Sequence, residues 1–347
     1  METITLGPKQ LAELLTKTIP ARMPLLITGP PGGGKSDIID QSRLAVGADL
    51  ILSHPAISDP TDAKGLPWPE KGAKTATFLP FGDLARALAA EKLTVWDLDD
   101  LGQATPAVQA SFMQLLLARS VNGHVLPDCV TFIAATNRRS DRAWVSGILE
   151  PVKSRFTMIV ELETNLNDWC EWAIKNGMAP ELIAFLRFRP NLLHKLEATA
   201  DLTNSPCPRT WASVGKILKL KLRGHLELAA ISGAVGEGAA SEFIAFLRVY
   251  REMPSIDGIL LTPDTAPIPK EPSALYAVSS ALGDRANAKN FPQISRYCER
   301  LVSKNHAEFA VLTVRDAIRR DSKITRTPEF IKMGNSEIGR LVSGEEE

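Results

Sequence analysis

Short apolar runs alternate with amphipathic stretches along the first half of the chain. The runs at residues 23–28, 49–53, 93–98 and 130–135, and a last one spelled MIVEL, have the length of buried parallel strands. Helical spacing of apolar residues predicts helices around them, at residues 8–18, 35–46, 81–90 and 106–119, with a short one after residue 148. Strands that alternate with helices predict a parallel sheet covered on both faces.

Two connections in this half have patterns of their own. Asn122-Gly123 lies between short apolar stretches and predicts a small hairpin at residues 121–126. Residues 54–74 are rich in Pro, Asp and Gly, and we expect a loop there.

Beyond about residue 163 the pattern is helical only. Helices are predicted at residues 168–175, 181–188, 211–222, 241–250, 274–286, 291–302 and 309–319. The proline-rich stretch at residues 261–272 predicts a stiff, extended connector. We therefore expect three parts: an α/β nucleotide-binding domain at residues 1–162, a helical lid at 163–262, and a connector with C-terminal helices at 263–347.

Composition narrows the class of protein. A chain of 347 residues that is 44% hydrophobic can bury more than one core. The 40 basic and 40 acidic residues give no overall attraction to nucleic acid. The 4 cysteines lack C-x-x-C spacing, which favours neither a zinc site nor disulfides. Without a signal peptide or an apolar run of about 18 residues, a cytoplasmic protein with no membrane span is expected.

A phosphate-binding loop follows the first buried strand. Residues 29–36 read GPPGGGKS and fit G-x-x-x-x-G-K-[ST] between a strand and a helix, the context that this motif needs. A glycine-rich turn that binds nothing is the plainer alternative. In the binding interpretation, Lys35 reaches the β- and γ-phosphates and the Ser36 hydroxyl ligates Mg²⁺. Backbone N–H groups cradle the phosphates over Gly29, Pro30, Pro31, Gly32, Gly33 and Gly34.

Three aspartates end the run LTVWDLDDLGQ. A metal-holding Asp is expected at the carboxyl end of a strand beside the P-loop. If the strand ended at Trp96, Asp97 would hold the metal; if it runs through Leu98, Asp99 does so through water, and Asp100 orients the attacking water. We favour the second register, since the first places Leu98 where water must be polarised. Asp97 is then either buried and protonated or paired with arginine, or it faces outward.

These motifs and three later ones occur in a characteristic order. GPPGGGKS, DLDDLGQATPAVQ, VNGHVLPDCVTFIAATN, LEPVKSRF and SPCPRTW together resemble the AAA+ ATPases of the MoxR branch, close to the dynein-related AAA group. The resemblance covers most of residues 20–215. It implies a P-loop NTPase core with a parallel sheet between helices, followed by an all-α lid and a C-terminal helical extension. It also implies that the hairpin at residues 122–125 points toward a central pore.

The resemblance also implies roles for residues outside the P-loop. Asn137 matches the sensor-1 residue that contacts the γ-phosphate or the attacking water. Arg155 matches the arginine finger inserted into a neighbouring subunit's site, and Arg209 matches sensor 2 on the lid. A basic cluster is expected nearby, most of it solvated or at an interface, with Arg142 a weaker candidate for a second contact to the neighbour: Arg138, Arg139, Arg142 and Lys153.

The expected function is an ATP-driven, Mg²⁺-dependent ring, usually hexameric in this family. Relatives remodel or activate a partner protein, often one with a von Willebrand factor A domain. The alternative is an AAA+ nucleic-acid motor or loader; balanced charge and the lack of a recognisable helix-turn-helix or zinc module argue against it. A third class, a nucleotide-gated structural ring, stays open because Asp100 stands where most AAA+ proteins have Glu. We expect slow hydrolysis for the same reason.

Overall fold

Two compact units make up the chain, residues Met1–Asn165 and Leu166–Glu347. The computed structural model describes residues 5–69, 72, 75–141, 147–196, 202–334 and 336–343. Each unit has buried hydrophobic cores of its own. The predicted boundaries at residues 162 and 262 stay predictions.

Unit 1 is built on a six-stranded sheet with the order β1-β10-β2-β9-β6-β3. All neighbouring pairs in it are parallel, which confirms the predicted parallel sheet. Two small antiparallel pairs, β4-β5 and β7-β8, stand apart from it. The strands in the described residues are β1 Thr5–Leu6, β2 Leu25–Thr28, β3 Asp49–Ser53, β4 Leu66–Pro69, β5 Ala76–Leu79, β6 Thr94–Leu98, β7 Ser120–Val121, β8 His124–Val125, β9 Val130–Thr136 and β10 Met158–Leu162.

Helices cover both faces of the sheet. Because side chains alternate along a strand, Leu25 and Ile27 of β2 join the core under α1 and α2, whereas Leu26 joins the core under α4, α5 and α6. This confirms the predicted layered α/β fold. The α-helices of unit 1 in the described residues are α1 Pro8–Thr18, α2 Lys35–Ala45, α3 Pro60–Lys64, α4 Gly82–Leu88, α5 Pro106–Ser111, α6 Met113–Ala118 and α7 Glu150–Lys153.

The strand order places one strand between the P-loop strand and the Asp-bearing strand. Strand β9 lies between β2 and β6. Every residue of β9 is buried, and a strand that is apolar on both faces takes a central place in a parallel sheet. The end of β9, with Asn137 after it, therefore lies between the P-loop and the aspartates.

Two expectations are wrong in detail. The loop predicted at residues 54–74 contains helix α3, because the Asp59 carboxylate accepts the Thr61 N–H and Pro60 stands at the first helical position. It also contains strand β4, which pairs with β5. The single helix predicted at residues 106–119 is broken at Phe112. There the Ser111 hydroxyl donates to the Val108 carbonyl at 2.6 Å, and the Phe112 N–H turns to Gln109 instead.

The predicted small hairpin is present as β7-β8. Asn122 and Gly123 have φ of 48° and 86°, the left-handed backbone of a tight hairpin turn. This hairpin is joined to the region of β4-β5 by two side chains. The His124 Nε2 lies 2.7 Å from the Phe78 carbonyl oxygen, and the Asn122 amide donates to the Lys64 carbonyl at 2.8 Å.

The described residues of unit 2 form helices and turns only, as predicted. The α-helices in the described residues are α8 Leu166–Lys175, α9 Pro180–Phe188, α10 Pro208–Leu218, α11 His225–Val235, α12 Glu237–Glu252, α13 Ile256–Leu261, α14 Pro272–Arg285, α15 Phe291–Ser303, α16 Ala307–Arg320, α17 Pro328–Met333 and α18 Glu337–Ser343. Four of these helices, α11, α13, α17 and α18, were not predicted from the pattern. None of the helices in the described part of the chain combines the length and apolar content needed to cross a bilayer.

The proline-rich connector is held against α15. Arg300 donates to the carbonyls of Pro263 and Ala266 at 2.6 and 2.8 Å, and the Tyr297 hydroxyl donates to the Pro267 carbonyl at 3.0 Å. The first part of the stretch is a turn, since the N–H groups of Thr265 and Ala266 both bond to the Thr262 carbonyl. The connector is therefore packed within unit 2.

Candidate functional site

The P-loop joins the end of β2 to the start of α2. Gly32 and Gly34 have φ of 70° and 95°, a left-handed backbone that costs glycine nothing. At Gly29 an added Cβ would lie 2.8 Å from the Leu162 carbonyl oxygen, so only glycine fits beside β10. This local geometry directs the chain into the N-terminus of an 11-residue helix, whose N–H groups and dipole favour an anion.

Lys35 lies at the centre of the loop. Its side chain is buried, and its ammonium group donates to the carbonyls of Gly29 and Pro30, both at 3.0 Å, and to the Asn137 Oδ1 at 2.8 Å. An ammonium has three protons to donate, and the loop and Asn137 supply three acceptors. Lys35 is therefore held directly between the P-loop and the end of β9.

Ser36 faces the aspartate that follows β6. Its hydroxyl donates to the Asp99 Oδ2 at 3.1 Å. A hydroxyl and a carboxylate are oxygen donors, the type that Mg²⁺ prefers, and Mg²⁺ is usually held by one or two protein carboxylates with water and substrate phosphates. No cluster of three or more His, Cys, Asp or Glu side chains suited to a metal occurs among the described residues. The donor set at Ser36 and Asp99 thus fits a phosphate-bound Mg²⁺.

Asp100 and Asn137 meet at the same edge of the sheet. The Asn137 Nδ2 donates to the Asp100 Oδ1 at 3.4 Å, while its Oδ1 accepts from Lys35. Asp100 has φ of 57°, a left-handed conformation that Asp tolerates better than most residues, and it caps a 3₁₀ turn at Leu101–Gln103. A continuous chain of contacts therefore runs from the P-loop lysine through Asn137 to Asp100.

Asp97 is buried, which excludes the outward-facing alternative. Asp97 is 2% exposed, and its Oδ1 has no hydrogen-bond partner in the described part of the protein. Burial, together with the nearby charge of Asp99, raises the pKa of the Asp97 carboxyl well above its usual value. Since β6 ends at Leu98, Asp99 is the residue at the strand end that faces Ser36.

Arg138 has a role that the sequence pattern did not reveal. Rather than a solvated charge, its guanidinium is bonded to Asp141 at 3.0 Å and to Glu161 of β10 at 2.9 Å. The hydrogen bonds that Arg138 donates to the Asp141 carboxylate raise the pKa of Arg138 further above its usual range. These ion pairs hold the turn after β9 against β10, and so they fix the backbone beside Asn137.

Arg155 and Lys153 have partners close to α7 and α6 in unit 1. Arg155 follows α7, and its guanidinium donates to the backbone carbonyls of Met113, at 3.0 Å, and Pro151. Lys153 pairs with Glu150 at 2.6 Å. Arg209 belongs to unit 2 and is exposed in the first turn of α10. Arg142 lies outside the described residues.

Gln109 is a buried polar residue that was not singled out. It belongs to the stretch DLDDLGQATPAVQ, on α5, and is 1% exposed with both ends of its amide hydrogen-bonded. Its sequence signal is weak but identifiable: a polar residue directly after Val108 on a helix whose neighbours Val108 and Phe112 are core residues.

Comparison with known proteins gives distant structural likenesses. No protein-family model matches the chain, and no curated protein matches it. The solved structure of the RuvB Holliday junction branch migration motor of Thermotoga maritima aligns over 80% of this chain and 80% of its own, with 17% identity and a TM-score of 0.39. The structure of a point mutant of the same motor aligns over 79% of this chain and 81% of its own, with 16% identity and a TM-score of 0.40.

A third structural neighbour aligns over nearly all of this chain. NtrX from Brucella abortus, solved in complex with ADP, aligns over 97% of this chain and 67% of its own, with 14% identity and a TM-score of 0.43. With TM-scores below 0.5, these likenesses are distant. The strand order and the contacts of Lys35, Ser36, Asp99, Asp100 and Asn137 are what define the candidate site.

Proposed function

We propose that this protein is a MoxR-like AAA+ ATPase that works in a ring, hexameric by the family resemblance, to remodel or activate a partner protein. The observation that carries the proposal is the convergence of side chains at one edge of the sheet. Lys35 bonds to Asn137, Asn137 bonds to Asp100, and Ser36 bonds to Asp99, although these residues come from three separate strand ends. That arrangement suits ATP with Mg²⁺.

Each side chain has a separate task in this proposal. The phosphate oxygens of ATP compete with the Gly29 and Pro30 carbonyls for the protons of Lys35. Ser36 and Asp99 hold Mg²⁺, which when bound neutralises charge on the β- and γ-phosphates. Asp100 orients the attacking water, and Asn137, which already contacts both Lys35 and Asp100, senses the γ-phosphate between them. The short Asp100 side chain makes hydrolysis slow.

Arg155 completes the site of the next subunit in this proposal. In the described part of the protein, its guanidinium has backbone carbonyls as partners and no carboxylate within ion-pair distance. Its positive charge is therefore not neutralised by a carboxylate of the described residues. An arginine offered to a neighbour's γ-phosphate stabilises transition-state charge and is worth about 10³-fold or more in rate. Arg209 is proposed to reach the γ-phosphate from unit 2.

Capture of the partner tests the proposed function. An Asp100→Asn variant should bind ATP and hydrolyse it too slowly to release a bound partner. Affinity isolation with ATP should recover a specific partner protein, and we expect it to contain a von Willebrand factor A domain. Isolation with ADP should not recover this protein. Recovery of nucleic acid alone would overturn the chaperone proposal.

A second candidate function, an AAA+ nucleic-acid motor or loader, is favoured by one surface of unit 2. Residues 202–226 contain no Asp or Glu. The exposed cations of this segment have no ion-pair partner among the described residues, and the next carboxylate, Glu227, is occupied by Arg251 at 2.5 Å. The cations are Arg209, Lys216, Lys219, Lys221 and Arg223.

Salt dependence of DNA binding tests this second candidate. If the segment contacts phosphates, affinity for a DNA duplex falls with salt at a slope of about 0.9 per contact. Changing both Lys219 and Lys221 to Gln should then reduce the slope by about 2. Changing Lys304 to Gln, an exposed lysine outside the segment, should leave the slope unchanged. Absence of salt-sensitive binding would remove this candidate.

A further inference from the structure

The Gln109 side chain joins two segments that the proposed function places at different catalytic centres. Its Nε2 donates to the Ala104 carbonyl at 3.0 Å and to the Gly147 carbonyl at 2.9 Å. Its Oε1 accepts from the Leu149 N–H at 3.0 Å. Both amide protons and the amide oxygen are thus used, and all three partners are backbone groups. A buried amide that is satisfied in this way fixes the distance between the segments it joins.

The first segment begins with Asp100. The turn that this residue caps is closed by backbone bonds from Gln103 to the Asp100 carbonyl, at 3.0 Å, and from Ala104 to the Leu101 carbonyl, at 3.2 Å. Ala104 ends the turn, and its own carbonyl is the one that Gln109 holds. A displacement of the Asp100 carboxylate that moves this turn is therefore transmitted to Gln109.

The second segment leads to Arg155. Leu149 is the N-cap residue of α7, and its carbonyl accepts from the N–H groups of Val152 and Lys153 at 2.9 and 3.0 Å. Arg155 lies two residues after the end of this helix, next to its C-cap residue Ser154, and is bonded to Met113 at the start of α6. The segment from Leu149 to Arg155 is thus attached to the α5-α6 pair at both ends, by Gln109 and by Met113.

We propose that Gln109 is a positioning residue that couples Asp100, in a subunit's own catalytic centre, to Arg155, which that subunit offers to its neighbour. This inference rests on the proposed function. Because Asp100 contacts the γ-phosphate sensor Asn137, the state of the nucleotide in one site sets the position of the arginine at the next. The link is the hydrogen-bonded side chain of Gln109. Through it, hydrolysis in successive subunits of the ring can occur in order.

A double-mutant cycle tests the coupling. Gln109→Met keeps the size of the side chain and removes all three hydrogen bonds. We expect turnover of the assembled ring to fall about 10²-fold, since small displacements in a catalytic site are costly. In an Arg155→Ala background, Gln109→Met should lower turnover by only about threefold, because the arginine that it positions is already absent. Nucleotide affinity of the variant should stay within about threefold of the wild type.

A matched control and a second variant isolate the effect. Gln293→Met makes the same change in α15, where the Gln293 Oε1 is buried without a hydrogen-bond partner in the described residues, and it should leave turnover unchanged. Leu149→Pro removes the N–H that donates to the Gln109 Oε1, together with part of the Leu149 side chain that packs against the core. The φ of −58° at Leu149 suits proline. If Gln109→Met does not fold, Leu149→Pro is put through the same cycle.

The outcomes separate this inference from the proposed function. If Arg155→Ala alone leaves turnover unchanged, the proposed function fails and the coupling fails with it. If Arg155→Ala lowers turnover but Gln109→Met has no effect, or has an equal effect in both backgrounds, the coupling alone is overturned. The coupling is supported if Gln109→Met lowers turnover of the otherwise wild-type ring but has little effect in the Arg155→Ala background.

Discussion

The buried carboxyl of Asp97 lies two residues before the proposed metal ligand, Asp99. Val95 and Asp97 share a face of β6 because side chains alternate along a strand, and Asp99 follows directly after the strand end. Asp99 meets Ser36 at the end of the strand, whereas Asp97 lies deeper, on the face where Val95 and Ile133 form the core. An unpaired carboxyl at such a place is held neutral more readily than charged.

Removal of this carboxyl should change how stability depends on pH. The folded-state pKa of Asp97 is raised above the ordinary value of 3.8. The contribution of this carboxyl to the stability of the fold is therefore fully present below about pH 3.8 and is lost as the pH rises through the folded-state pKa. The Asn side chain of Asp97→Asn cannot ionise. The free energy of unfolding of this variant should therefore increase relative to that of the wild type as the pH rises, by about 1.4 kcal/mol for each unit by which folding raises the pKa of Asp97.

Urea unfolding from about pH 4 to about pH 8 measures this difference. Both proteins are compared without Mg²⁺ and nucleotide, since a cation at Asp99 would favour the ionised Asp97. A stability difference that does not change with pH would contradict the burial argument.

The water-orienting role of Asp100 gives a second prediction at this scale. Asp100→Asn should lower turnover by about 10²-fold or more, because the amide cannot accept a proton, while ATP affinity changes little. Asp128→Asn, the same change at an exposed position outside the site, should leave both turnover and affinity intact. Equal turnover in wild type and Asp100→Asn would remove Asp100 from the mechanism.

At the scale of elements, the P-loop depends on how closely β2 and β10 approach. The contact between Gly29 and the Leu162 carbonyl leaves no room for a methyl group. Gly29→Ala should therefore destabilise unit 1 by about 1–3 kcal/mol and weaken ATP binding. Gly233→Ala in α11 meets nothing within 4 Å and should be neutral or stabilising by about 0.5–1 kcal/mol. Isothermal titration and thermal unfolding of both variants provide the comparison.

A buried ion pair connects the helices of unit 2. Arg187 of α9 donates to both carboxylate oxygens of Asp316 on α16, with Nη2–Oδ1 at 2.8 Å, and both side chains are buried. Helices on either side of the predicted boundary at residue 262 are thereby joined. Arg187→Met should cost about 3–5 kcal/mol, because Asp316 is left buried with only the more distant Arg319.

The double variant, Arg187→Met with Asp316→Leu, should recover most of that loss, since no charge is then left unpaired. Hydrogen exchange of the α9 and α16 amides reports both changes locally. If the double variant is no more stable than Arg187→Met, the ion pair is not the main connection between these helices.

Local pattern predicted most elements but not their arrangement. The P-loop, β3 and the β7-β8 turn were predictable because glycine, apolar runs and Asn-Gly act over a few residues. The two-residue β1 and the β4 strand of LPWP were not, since pairing with distant partners creates them. The place of β9 between β2 and β6, and the three backbone partners of Gln109, depend on tertiary contacts that no local pattern encodes.

At the scale of the whole molecule, the proposed catalytic centre is divided between subunits. Unit 1 brings together Lys35, Ser36, Asp99, Asp100 and Asn137 within one chain. Arg155 of that chain is instead bonded to its own backbone at Met113 and Pro151. The proposed catalytic centre is therefore complete only in an assembly, and a protomer alone should turn over ATP slowly.

Mixing two inactive variants tests this central claim most directly. Lys35→Ala lacks the phosphate-binding lysine but keeps Arg155, and Arg155→Ala lacks the arginine but keeps Lys35. Each alone should be nearly inactive, and an equal mixture should regain about a quarter of wild-type turnover, the share of interfaces in a random ring that pair an intact Lys35 with an intact Arg155. A mixture as inactive as its components, or full activity of Arg155→Ala alone, would contradict the account.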